Sequence, residues 1–138
     1  MTNVADPPAP LQLRLPAVPS SVTEARVKIA DYATGAGADP DDVELAVAEA
    51  VANSVLHAFP GEMKGTVTVR ATFDGNVLEV EVTDDGTGMR PNPEGDGLGL
   101  GLALIGRLSA SFAVSEPANG GTSLRMSFPC DTGRSEDG

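Results

Sequence analysis

Hydrophobic positions along the chain change period from segment to segment, and the changes predict the elements. In "LQLRLPA" the apolar residues Leu11, Leu13 and Leu15 alternate, which predicts a strand with one buried face. "SSVTEARVKIADYAT" follows, where Ser21 and Glu24 have the spacing of a capping box and predict a helix of about four turns, ended by "GAGA". "DPDDVELAVAEAVANSVLHAF" opens with Asp39 as N-cap and Pro40 at the first helical position. Asp41 and Asp42 suit the positive end of its dipole, and the helix is expected to run to about Ala58. After the loop "PGEMKG", the strands "TVTVRATF" and "VLEVEVT" are joined by the hairpin signal "DGN". A helix is predicted over Leu98–Leu108, and "ASFAVS" and "TSLRMSF" form a second strand pair around "EPANGG". This order predicts an α+β two-layer sandwich: a mixed, mainly antiparallel sheet with the helices on one face. The proline-rich residues 1–10 are expected to be loose, 11–128 to form one domain, and 129–138 to be a disordered tail.

Composition narrows the function classes. A chain of 138 residues fits a single core, and with aromatics at 4% that core must be built from Val, Leu, Ile and Ala. The formal charge of −11 argues against a nucleic-acid partner. Any bound anion must therefore be held locally, by amides, a metal or a single arginine. The one cysteine, Cys130, allows neither a disulfide framework nor a cysteine-based zinc site. "MTNVADPPAP" lacks the basic and apolar regions of a signal peptide, and no run approaches the ~18 apolar residues of a membrane span. A cytoplasmic chain without membrane attachment is the expectation.

Candidate chemistry is concentrated in two regions. Glu49, Asn53 and His57 recur every four residues and so share a helical face, on a helix otherwise rich in Ala and Val. Either that face meets water, or it walls a pocket. In a pocket the Asn53 amide oxygen can bind a hard cation such as Mg²⁺, and Glu49 can orient or deprotonate a nucleophile. No catalytic role follows for His57. The second region is "VTDDGTGMRPNPEGDGLGLGLALI". Its glycines fit neither common phosphate loop. Leu102 stands where a Rossmann fingerprint needs its third glycine, and no lysine is present for a P-loop. Asp84 ends a strand just before Gly86 and Gly88. It is either part of an Asp-Gly turn or a carboxylate acceptor for an exocyclic amine such as that of adenine. Gly97, Gly99 and Gly101 enter an apolar helix, where bare backbone admits either a phosphate or a closely packed neighbour. The intervening segment reads as a flap. Its one cation, Arg90, is either a phosphate contact or a solvated side chain, and Glu94 and Asp96 lie beside it in sequence.

Taken together, E-x-x-x-N on a helix, D-x-G-x-G after a strand, G-x-G-x-G opening a helix and "GGT" before the last strand resemble the Bergerat ATP-binding fold. That superfamily includes DNA gyrase, histidine kinases and MutL. "EAVANSVLHAF", "VTDDGTGM", "GLGLALI" and "GGTSLRMSF" narrow the similarity to the anti-sigma factor serine kinases of bacterial partner-switching systems, over roughly residues 11–128. The resemblance implies that Asn53 binds Mg²⁺ and through it the triphosphate of ATP, and that Glu49 is the general base for a protein serine. It implies that Asp84 accepts the adenine amino group with Thr122 in support, and that Gly86 and Gly88 shape the base pocket. Gly97, Gly99 and Gly101 then lie along the phosphates. It further implies two partners, a sigma factor and an anti-anti-sigma (STAS) protein, with Arg26 presented to both, and a homodimer. An ATP-binding regulatory module without kinase activity and a detached histidine-kinase catalytic domain are the alternative readings.

Overall fold

The computed structural model describes residues 9–58, 65–85, 98–116 and 121–130. Its elements follow in the order β1 (Leu11–Pro16), α1 (Ser20–Ala36), α2 (Pro40–Asn53), a single π-helical turn (Ser54–Ala58), β2 (Thr66–Phe73), β3 (Val77–Asp84), α3 (Leu98–Leu108), β4 (Ser111–Ser115) and β5 (Thr122–Pro129). The strands form one sheet in the order β1-β2-β3-β5-β4. All of its described pairings are antiparallel, so no parallel component enters the sheet among these residues.

Alternation along β1, β2, β3 and β5 creates the core, whereas β4 is exposed throughout. Leu13 and Leu15, then Val67, Val69 and Ala71, then Leu78, Val80 and Val82, and finally Leu124, Met126 and Phe128 are buried on one face. Burial of an aliphatic side chain of this size contributes about 1.5–3 kcal/mol, so this surface dominates stability. From the helices it meets Ala25, Ile29 and Ala33 of α1, Val43, Ala46, Val47, Ala50 and Val51 of α2, and Ile105 of α3. The middle helix, α2, packs against both α1 and α3. The small residues on α1 and α2 permit that close approach. On the opposite face of the sheet Arg125 lies 4.0 Å from Glu79 and 3.6 Å from Glu81. With Arg70 and Thr72 these side chains rim a shallow depression of about 170 Å³. None of the described helices is long and apolar enough to cross a membrane.

Helix ends are set by local chemistry. Asp39 caps α2 as expected, accepting from the N–H groups of Asp41 at 2.9 Å and Asp42 at 3.3 Å. Gly37, at φ 84°, closes α1, with the Ala38 N–H bonded to the Ala33 carbonyl at 3.0 Å. The capping box expected at Ser21 does not form. The N-cap lies two residues earlier, at Pro19, without a side-chain acceptor, and the buried Ser21 hydroxyl instead donates to the Pro16 carbonyl at 2.6 Å. The C-terminal boundary also moves. Pro129 completes β5, one residue past the expected domain end, and the Cys130 N–H donates to the Asn76 carbonyl of the β2–β3 turn at 2.9 Å. Residues 1–8 and 131–138 lie outside the described residues.

Candidate functional site

The sheet's own period builds the site. Asp84 is in phase with Leu78, Val80 and Val82 on β3, and Thr122 with Leu124, Met126 and Phe128 on β5. Both buried rows therefore end in a polar residue beneath the helices. The register pairs Asp84 directly with Thr122, and each is almost wholly buried, at 3% and 2% exposure. The acidic pair divides its labour by the same alternation. Asp85 is exposed and uses its carboxylate to accept from the Thr66 N–H at 2.9 Å, fastening the start of β2.

Gly121 lets the two strand ends meet. Its φ is +85°, and a Cβ there would stand 2.0 Å from the Asp84 carbonyl oxygen. Glycine is demanded both by the conformation and by the contact.

The second wall is the end of α2. Asn53 is buried at 5% exposure and is the last α-helical residue; Ser54, buried at 3%, starts the π turn. The Ser54 N–H is shared between the carbonyls of Ala50 and Val51, where the hydrogen-bond ladder changes period. Such π-turns are rare and occur often at functional sites. From this position the Ser54 hydroxyl donates to Asp84 Oδ2 at 2.9 Å. Two buried polar atoms beside this bond in the chain and in the sheet, Asn53 Nδ2 and Thr122 Oγ1, have no hydrogen-bond partner. Buried polar groups are normally satisfied. These two atoms, one on the chain neighbour of Ser54 and one paired in register with Asp84, make this the candidate ligand position.

The anticipated residues separate into three groups. Asp84 and Thr122 are adjacent, and Asn53 is joined to them through Ser54. Glu49 lies one turn before Asn53 on α2 and is half-buried. Gly99 and Gly101 fall within the first turn of α3, whereas Gly86, Gly88, Arg90 and Gly97 lie outside the described residues, as does the side chain of His57. Arg26 belongs to a different surface. Its guanidinium contacts Glu44 Oε2 at 2.8 Å from one nitrogen and 2.9 Å from another, tying α1 to α2 at half-exposed positions.

Sequence reasoning missed Ser54. Its signal was its phase: Val43, Val47, Ala50 and position 54 fall on one helical stripe, and a hydroxyl in such a stripe requires a buried acceptor.

The fit to a nucleotide and its cation rests on these donors and acceptors. A carboxylate and a hydroxyl suit the edge of a base, and a carboxamide offers an oxygen to a hard cation and an N–H to a phosphate. Among the described residues no group of three or more His, Cys, Asp and Glu could hold a metal.

Comparison with known proteins identifies the family and the fold. Residues 15–128 match the family described as the histidine kinase-like ATPase domain. Over 80 residues the chain is 41% identical to the serine-protein kinase RsbW of Listeria monocytogenes, covering 56% of this chain and 51% of the relative. Over 84 residues it is 34% identical to the anti-sigma F factor of Clostridium acetobutylicum, covering 57% of each. The chain thus spans about half the length of the curated relatives it matches. In fold it is similar to the crystal structure of the RsbU and RsbW domains of Rv1364c from Mycobacterium tuberculosis, with a TM-score of 0.67 and 21% identity over 89% of this chain and 33% of that one. With relatives named serine-protein kinase RsbW and anti-sigma F factor, and the family's match running from the end of β1 to the end of β5, the chain belongs to the histidine kinase-like ATPase family.

Proposed function

We propose that this protein binds Mg-ATP between α2, α3 and the ends of β3 and β5, sequesters a sigma factor, and phosphorylates a serine of an anti-anti-sigma (STAS) protein. The observation that carries the reading is the buried Ser54–Asp84 hydrogen bond flanked by the unsatisfied atoms of Asn53 and Thr122. The names of the relatives supply the pathway class.

In this reading Asp84 accepts the adenine 6-amino group, and Thr122, whose hydroxyl is both donor and acceptor, completes the base edge. Gly86 and Gly88 shape the base pocket. Asn53 holds Mg²⁺, which neutralises charge on the phosphates when bound. Gly97, Gly99 and Gly101 leave the start of α3 open to the phosphates, with Arg90 as a further contact. Glu49 takes the proton from the incoming serine hydroxyl as its oxygen attacks the γ-phosphorus and ADP departs. Arg26 and its Glu44 partner form part of the protein-docking surface, and the working form is a homodimer in the cytoplasm.

A second reading keeps ATP as a structural ligand and transfers nothing. The sequence favours it at one point: Glu94 and Asp96 put negative charge in the flap beside Arg90, where a triphosphate is disfavoured. Incubating the protein with γ-labelled ATP, Mg²⁺ and a STAS protein separates the two. Label on a STAS serine supports transfer. Nucleotide binding without label leaves the regulatory module, and the absence of both removes the ATP site.

A further inference from the structure

Ser54 and Asp84 meet in the interior although 30 residues separate them along the chain. The hydroxyl is the donor and Oδ2 the acceptor, so the direction of the bond is fixed. The terminal torsion of an aspartate is broad and turns easily. At Asp84 a donor held by the backbone of the π turn acts on one oxygen, Oδ2, and so restrains the orientation of the carboxylate. The Thr122 hydroxyl lies across the strand pair, buried and without a partner.

We propose that Ser54 is a positioning residue for base selection: its hydroxyl holds the Asp84 carboxylate as an acceptor for a purine 6-amino group, so that adenine is preferred over 6-oxo purines. This deepens the ATP reading above and rests on it. A 6-oxo purine presents an acceptor where the carboxylate is also an acceptor, and a buried pair of that kind has no compensating bond. The mismatch discriminates only while the carboxylate cannot swing aside, and Ser54 restrains it.

The test is calorimetric titration of the full chain with Mg-ADP and Mg-IDP, whose bases differ in the 6-substituent, alongside thermal unfolding. Wild-type protein is expected to prefer ADP. Ser54→Ala and Ser54→Cys, the latter retaining size but only a weak donor, should each lower the ADP-to-IDP affinity ratio by about tenfold, chiefly through weaker ADP binding. Ser54→Thr, which restores a hydroxyl, should recover most of the ratio. A ratio within about twofold of wild type in folded Ser54→Ala overturns the proposal. If that variant does not fold, the same result in Ser54→Cys is equally decisive. A purely packing role would weaken both nucleotides alike and leave the ratio unmoved. Failure of the underlying reading looks different: wild type would bind both nucleotides equally, or Asp84→Asn would keep the ADP preference. Loss of preference in Asp84→Asn with retention in both serine variants sinks the role of Ser54 alone.

Discussion

Asp84, the last residue of β3, stands directly opposite Thr122, the first residue of β5, with both side chains buried under the helices. A buried carboxylate beside a buried, unsatisfied hydroxyl is unstable packing unless a ligand or solvent completes it. The first prediction follows. Asp84→Asn replaces the acceptor for the 6-amino group with a side chain that can also donate. ATP affinity should fall by about tenfold or more, measured by calorimetry, while thermal unfolding shows a folded protein. Unchanged affinity would remove Asp84 from the base site.

The roles proposed for Asn53 and Glu49 should be separable. Asn53→Ala deletes the buried amide and should abolish the Mg²⁺-dependent part of ATP binding, read as loss of the difference between titrations with Mg²⁺ and with EDTA. Glu49→Ala, one turn away at a half-buried position, should keep nucleotide affinity and lose transfer by roughly 100-fold or more. Equal labelling rates for Glu49→Ala and wild type would rule out Glu49 as the base.

Two glycines make opposite predictions for stability. A methyl group at Gly121 would collide with the Asp84 backbone and sit at positive φ. Gly121→Ala should therefore destabilise by at least about 1–3 kcal/mol in urea unfolding. Gly35 lies within α1 with nothing near its missing Cβ, and Gly35→Ala should stabilise by up to about 1 kcal/mol. Equal unfolding midpoints for the two variants would contradict this account of the strand junction.

The β2–β3 hairpin carries a pH dependence. The Asp74 carboxylate accepts from the N–H groups of Asn76 at 3.0 Å and Val77 at 2.9 Å. These bonds hold its pKa below the ordinary aspartate value. A depressed folded-state pKa adds stability above the unfolded-state value, and that stability is lost as pH falls through the folded value. Asp74→Asn should thus lessen the drop in unfolding temperature on acidification below the usual aspartate range. A variant as acid-sensitive as wild type would show that the turn does not contribute.

The boundaries of β2, β3 and α3 and the cap at Asp39 were legible because each rests on a local rule: alternation, a three-residue turn, helical periodicity, a side chain reaching the next N–H groups. The failed capping box at Ser21 shows the limit of such rules. A serine has two local uses, and the carbonyl of Pro16 took the hydroxyl. The π turn after Asn53 was not legible either. Its change of hydrogen-bond ladder comes where α2 reaches the end of β3.

By itself the sequence determined the element order, the apolar alternation of the core strands and the identity of the candidate ligand groups, since periodicity and residue chemistry are properties of neighbours in the chain. Only the tertiary structure decided the partners. Antiparallel register set Thr122 against Asp84, close backbone approach made Gly121 obligatory, and the π turn carried Ser54 to the carboxylate. These depend on contacts between segments remote in sequence, whose geometry is fixed only when the helices settle on the sheet.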